Sequence, residues 1–178
     1  MKLEPSAWLD RPGIKRLLKA LDAKSGHVRF VGGAVRDLLL DEEPGDLDLA
    51  TSHSPQDVVR RLEHAGIKAV PTGIEHGTIT AVSSNTVVEV TTLRSDVSTD
   101  GRRATVAFTD DWKQDAARRD FTINALYADP FTGELFDFYG GVDDLKSRTV
   151  RFIGDPLQRI AEDHLRILRY FRFHARYG

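Results

Sequence analysis

Residues 30–51 read FVGGAVRDLLLDEEPGDLDLAT, which combines paired glycines after a short apolar run with two aspartates one residue apart. In a strand, successive side chains alternate faces, so Asp46 and Asp48 share one side while Leu47 and Leu49 anchor the other in a core. Two carboxylates on one face repel unless a cation sits between them. Mg²⁺ meets that need, because it takes one or two carboxylates and completes its shell with phosphate oxygens and water. For an isolated D-x-D, a wet acidic strand face is the plainer alternative. Gly32 and Gly33 fall between a strand and a helix, where bare backbone and helix-start amides can cradle phosphate. Arg36, one turn into that helix, reaches the same anion. A close helix–sheet packing turn would also use the glycines. Neither G-x-G-x-x-G nor G-x-x-x-x-G-K-[ST] occurs. In TVVEVTT, Glu89 lies opposite the inward Val88 and Val90, as an edge residue or a third acid for a metal.

These groups must be held by a fold of 178 residues, which fits one domain or one domain and part of a second. With 40% hydrophobic and 29% charged residues, the composition is that of a folded, soluble protein. The chain has no cysteine, which excludes thiolate metal sites and cysteine nucleophiles, and it shows no signal-like or membrane-length apolar run. The cytoplasm is the expected compartment. The six histidines have no metal-ligand spacing. Net charge is −2 but uneven: from Lys146 onward eight Lys/Arg face three acids, which suits an anionic partner such as a nucleotide or RNA.

Periodicity predicts a helix in RPGIKRLLKALDAKSG, a strand in HVRFVGG, a helix opening at AVRDLLL, a turn at EEPGD and a strand in DLDLAT. SPQDVVRRLEHAG has Ser54 as N-cap, Pro55 in the first turn and Gly66 as its stop. KAVPT, GTITAVSS and TVVEVTTLR read as strands, and SDVSTDGRRATVAFTDDW as a mobile loop. DAARRDFTINALYAD reads as a helix, GELFDFYGGVDDL as strand and turn, and DPLQRIAEDHLRILRYFRFHARYG as one long basic helix that stops in mid-pattern. The expected class is α+β, with strands clustered among helices and the last helix beginning something else.

Together GGAVRD, DLDLAT, EVTTLR, RRDFTINAL and GDPLQRIAEDHLRILRYFRFHARYG, in that order, resemble the class II (bacterial-type) tRNA nucleotidyltransferase and poly(A) polymerase family. The resemblance implies a polymerase-beta-like nucleotidyltransferase head with a mixed sheet and flanking helices. The implied division is an N-terminal helix in 1–27, the head in 28–149, and the start of a helical neck in 150–178, with body and tail absent. It implies two Mg²⁺ ions held by Asp46, Asp48 and Glu89, with Gly32, Gly33 and Arg36 on the triphosphate. RRDFTIN resembles the family's motif for ribose and phosphates: Asp120 and Asn124 suit ribose hydroxyls, and one or both of Arg118 and Arg119 face phosphate. Asp120 could equally cap a helix.

EDHLRILRYFR resembles the family's amino-acid template for base choice. Asp163 and Arg166, three apart, would be neighbours on one helix face. An ionised Asp only accepts hydrogen bonds and Arg only donates them. Cytosine and adenine each offer an amino donor beside a ring-nitrogen acceptor, so the pair admits C and A and rejects G and U. Arg169 and Arg172 drift around the helix and would meet phosphate or sugar. A surface salt bridge is the alternative for Asp163 and Arg166. The charged loop, with Arg102 and Arg103, resembles one found in members that add the terminal A. TGIEHGTIT lacks the G-R-R-F-like element of the poly(A) polymerases, which favours CCA addition to tRNA 3′ ends from CTP and ATP. Poly(A) synthesis, A-only addition, and a nucleotide- or RNA-binding fragment without turnover are the other readings.

Overall fold

The computed structural model describes residues 2–100 and 103–178. Two short helices, α1 (Ser6–Leu9) and α2 (Ile14–Ala20), lead into β1 (Val28–Val31), α3 (Gly33–Leu39), β2 (Leu47–Thr51) and α4 (Pro55–His64). β3 (Lys68–Gly73), β4 (Thr78–Ser83) and β5 (Thr86–Thr92) complete one half of a seven-stranded mixed sheet. β6 (Arg94–Asp100) pairs only with β7 (Arg103–Phe108) as a separate ribbon, and α5 (Trp112–Ala117) follows. β8 (Leu126–Ala128) and β9 (Leu135–Asp137) finish the sheet, in the order β3-β4-β5-β2-β1-β8-β9. Three helices close the chain: α6 (Gly141–Lys146), α7 (Pro156–Glu162) and α8 (Leu165–Tyr177).

One face of the sheet is apolar and covered. Leu47, Leu49, Val88 and Val90 share a core with Leu17 and Leu18 of α2, Val35 of α3, and Val58 and Leu62 of α4. The alternation of the strands leaves Asp48 and Glu89 on the opposite face. Local signals behave as their chemistry requires. The Ser54 hydroxyl accepts the Asp57 N–H at 3.2 Å to start α4. Ser84 and Asn85, both at positive φ, make the β4–β5 turn, whose twist suits a hairpin.

The structure corrects four local expectations. Residues 94–100 and 103–108 pair as the antiparallel strands β6 and β7 where a loop is expected, with Arg94 opposite Phe108 and Asp100 opposite Arg103. β-branched residues spaced for pairing outweigh the charges between them. Arg102 and the side chain of Arg103 lie outside the described residues. DAARRDFTINALYAD is helical only to Ala117, after which come a 3₁₀ turn at Thr122–Asn124 and β8. The helix ends there because the Arg159 guanidinium donates to the carbonyls of Arg118 and Arg119 at 2.8 and 2.6 Å, meeting acceptors at its C-terminus. GELFDFYGGVDDL adds α6 to its strand, because the Asp137 carboxylate accepts the N–H groups of Gly141 and Val142, both at 2.9 Å. The last segment is two helices, broken at Asp163, whose backbone is extended at φ −153°, ψ 106°.

α8 docks through aromatic rings. Phe121 is fully buried, with ring centroids 4.9 Å from Phe152, 5.3 Å from Phe173 and 6.1 Å from Tyr170. Phe121→Ala is expected to destabilise the protein by about 3–5 kcal/mol in urea unfolding and to strip hydrogen-exchange protection from α8 first. A loss below about 1 kcal/mol would contradict this packing account.

Candidate active site

A cavity of about 490 Å³ opens where the start of α3, β2, the segment after α5 and the α7–α8 break meet. Gly32, Gly33, Arg36, Asp48, Arg119, Asp120, Asn124, Asp163, Arg166 and Arg169 all line it, joined by Phe173, which sequence reasoning left out. A larger cavity of about 650 Å³ between α2 and α4 is lined by none of the residues selected for chemistry. Size alone therefore does not locate the site.

The glycine turn forms one wall. Gly32 sits at φ 70°, ψ −127°, a conformation open only to glycine, and its carbonyl accepts the Arg36 N–H at 3.0 Å. The acids form a second wall. β2 and β5 run parallel with Asp48 directly opposite Glu89, and Asp46 precedes the first residue of β2. Burial pushes the Asp48 carboxyl up to about 6; the charges of Glu89 and Asp46 add to the rise, and Arg119 opposes it. Among the described residues no three His, Asp or Glu side chains are gathered to hold a metal ion. What is present is a set of hard carboxylate oxygens with unbalanced charge. That chemistry fits Mg²⁺ bound by two carboxylates with the rest of its shell from phosphate and water.

The third wall is a chain of polar contacts. Arg36 Nη1 donates to Asn124 Oδ1 at 2.6 Å, Asn124 Nδ2 to Asp120 Oδ1 at 3.1 Å, and Arg169 to Asp120 Oδ2 at 2.8 and 2.5 Å. Asp120 also accepts the Phe121 N–H at 2.7 Å. The rings of Tyr177 and Phe173 lie 4.4 and 5.5 Å from the Arg36 guanidinium. Of the two adjacent arginines, Arg119 faces the cavity, while Arg118 is directed away, 3.5 Å from Asp96 of β6. Arg172 does not line the cavity; it is exposed, with its guanidinium over the Phe173 ring at 5.3 Å from the centroid.

The two residues expected to select the base are arranged differently from the expected helix face. Asp163 stands in the break between α7 and α8, and its Oδ1 accepts the Leu165 N–H at 3.0 Å. Arg166 is not paired with Asp163: its Nη1 donates to Glu162 Oε2 at 2.8 Å and to the Arg159 carbonyl at 2.6 Å. Both side chains nevertheless reach the same cavity. The surface salt bridge between them does not form.

Sequence reasoning also missed Asp115, Tyr127 and Arg159. The Asp115 carboxylate is buried, accepting from Arg119 at 3.1 and 3.3 Å, from the Tyr127 hydroxyl at 2.7 Å and from the Arg94 N–H at 3.0 Å. Burial alone would raise its pKa, but the Arg119 charge and these hydrogen bonds hold it below the usual carboxylate range. A lone acid in the first turn of a helix gives no sequence signal beyond favourable dipole placement.

The raised pKa of Asp48 has a stability consequence. An acid whose folded pKa lies above its unfolded value destabilises the fold once ionised, fully above about 6 and not at all below about 3.8. Asp48→Asn is therefore expected to raise Tm by a few degrees at pH 7.5 without divalent ions, with the gain vanishing near pH 4. Equal melting of both proteins across that range would contradict it.

Residues 28–151 match the family model described as the poly(A) polymerase head domain. The mitochondrial CCA tRNA nucleotidyltransferase 1 of Homo sapiens is 49% identical over 179 residues, covering 99% of this chain and 41% of the relative. A CCA-adding enzyme of Streptococcus gordonii is 44% identical over 161 residues, covering 89% of this chain and 39% of its own length. Among solved structures, the Bacillus stearothermophilus CCA-adding enzyme in complex with CTP superposes with a TM-score of 0.77 at 36% identity, covering 92% of this chain and 39% of that one. A tRNA nucleotidyltransferase complexed with a primer tRNA and an incoming ATP analogue gives a TM-score of 0.69 at 32% identity, over 88% of this chain and 44% of that one. The chain thus spans about two fifths of the relatives it matches. The mixed sheet with flanking helices agrees with these matches, and the chain belongs to the tRNA nucleotidyltransferase and poly(A) polymerase family, of which it carries the head domain.

Proposed function

We propose that this chain is the nucleotidyl-transfer part of an enzyme that adds C and A, from CTP and ATP, to the 3′ end of tRNA. The observation that carries the reading is the convergence of phosphate-cradling, acidic and base-selecting groups on one cavity. In this reading residues 28–149 are the catalytic head, 150–178 the start of the neck, and 1–27 an N-terminal helical segment packed on the sheet. The CTP, ATP-analogue and tRNA complexes of the relatives support the choice of substrates. Among the described residues no helix is long and apolar enough to cross a membrane. The cytoplasm is the compartment we propose, although the human and mouse relatives are named mitochondrial.

The chemistry follows from the walls of the cavity. Gly32 and Gly33 let a triphosphate approach the backbone at the start of α3, and Arg36 and Arg119 supply positive charge where negative charge grows as pyrophosphate leaves. Asp120 and Asn124, already linked to each other, present oxygens and an amide to ribose hydroxyls. Mg²⁺ held by Asp46 and Asp48, with Glu89 beside them, would supply Lewis-acid charge at the transferring phosphoryl group. Arg166 is anchored through Nη1, leaving Nη2 to donate, and Asp163 keeps Oδ2 to accept. An acceptor beside a donor matches cytosine and adenine and leaves guanine and uracil with unpaired groups. Arg169 and Arg172 are proposed for phosphate or sugar, Arg169 by exchanging its Asp120 partner, and Arg118 for phosphate only if it leaves Asp96.

Extension of a tRNA that ends at its discriminator base tests the reading. The expected products are two added C residues with CTP and Mg²⁺, and CCA with both nucleotides. A long A tract regardless of CTP would indicate poly(A) synthesis, failure with CTP an A-only enzyme, and nucleotide binding without any extension a fragment lacking turnover. Asp46→Ala is expected to lower incorporation about 100-fold or more while leaving the melting curve intact. Asp163→Ala should relax base choice, admitting GTP and UTP; unchanged rejection of both would contradict the base-reading role.

A further inference from the structure

Arg119 is a cavity arginine whose direction is set by its neighbours, and the acid that sets it is buried. Asp115 and Arg119 are four residues apart, and the Asp115 side chain is 3% exposed, so it can touch neither solvent nor a bound nucleotide. Its Oδ2 accepts from Nη2 and Nε of Arg119, at 3.1 and 3.3 Å, and from the Tyr127 hydroxyl at 2.7 Å. Its Oδ1 accepts the Arg94 N–H at 3.0 Å, so the carboxylate itself is fixed from β6. The Tyr127 oxygen in turn accepts from Arg119 Nε at 3.2 Å, and the phenol ring lies 5.4 Å from the guanidinium. With Nε and Nη2 engaged on the buried side, Nη1 is the group left to face the cavity.

We propose that Asp115 and Tyr127 are positioning residues that hold the Arg119 guanidinium toward the cavity, so that it meets the phosphates of the incoming nucleotide. The proposal rests on the nucleotidyl-transfer reading above. A free arginine samples many rotamers, and a strut that fixes two of its nitrogens removes that freedom before the ligand arrives. Asp115 also supplies counter-charge beside Arg119 and Arg94, as Asp96 does beside Arg118 and Arg94. The effect reaches the phosphates through Arg119 alone, which separates positioning from general support of the fold.

Calorimetric titration of the whole chain with CTP and with CMP, in Mg²⁺, tests this. Asp115→Asn keeps the size but removes the charge and one of the two acceptor oxygens that Arg119, Tyr127 and the Arg94 N–H share. It is expected to weaken CTP about 10-fold while changing CMP less than about two-fold. Tyr127→Phe should weaken CTP by about two- to five-fold with the same selectivity, and serves if the asparagine variant melts early. In an Arg119→Ala background, Asp115→Asn should add less than about two-fold. Equal weakening of CTP and CMP, full additivity in the double variant, or wild-type CTP affinity in both single variants would overturn the positioning role. A wild-type chain that binds neither CTP nor ATP would overturn the nucleotide reading, and this proposal with it, a result distinct from wild-type binding that the variants fail to change.

Discussion

Asp48 and Glu89 stand side by side because β2 and β5 run parallel with Leu47 opposite Val88 and Leu49 opposite Val90. That register sends four aliphatic side chains into the helix-covered core and two carboxylates out of the other face. A slip of one residue would exchange the two sets, burying acids beneath α2, α3 and α4 and exposing leucine and valine to water. The hydrophobic side of the register enforces the electrostatically unfavourable side. The cost is visible at Asp48, whose carboxyl is held at about 6 by burial and by its acidic neighbours. Apolar burial of several residues, each contributing about 1.5–3 kcal/mol, outweighs a charge penalty of this kind. The molecule therefore stores at its candidate site a need for positive charge that a hard cation or an arginine can answer.

The remaining walls depend on contacts between segments far apart in sequence. Arg36 of α3, Asn124 and Asp120 of the 3₁₀ region, and Arg169 of α8 form one hydrogen-bonded chain, so the head and the last helix share a polar seam beside their aromatic one. Arg159 joins the same seam from α7, closing the end of α5 with two nitrogen contacts and offering its own carbonyl to Arg166. The side chain that presents a donor to the cavity is thus carried on the group that terminates a neighbouring helix. Most of these polar groups are satisfied by a neighbour; the exception is the Arg159 Nε, which is buried without a hydrogen-bond partner, and an unpaired group in such a region costs about 1–3 kcal/mol.

Much of this was legible in the residues. Alternation in DLDLAT and TVVEVTT separates core from acidic face, and Ser54, Pro55 and Gly66 mark the limits of α4. Adjacent glycines at the start of α3 mark one wall of the cavity before any contact is known. The rest was hidden for physical reasons. Helical spacing in DAARRDFTINALYAD is ended by a guanidinium from 40 residues away, which no local pattern encodes. The break at Asp163 lies inside an amphipathic run, and the side chain that marks it looks like an ordinary helix-surface acid. β6 and β7 are strands because each has the other, and their charges disguise the pairing. Asp115 is invisible for the same reason: its importance lies in Tyr127 and the Arg94 backbone, brought together only by the fold.

A crystal structure of the chain with Mg²⁺ and a non-hydrolysable CTP analogue tests the central claim most directly, that one cavity holds phosphates at one end and reads a base at the other. The account predicts the triphosphate along Gly33, Arg36 and Arg119, and the cytosine amino group and ring nitrogen facing Asp163 and Arg166. A triphosphate seated instead among the basic side chains between α2 and α4, or a base turned away from Asp163 and Arg166, would contradict it.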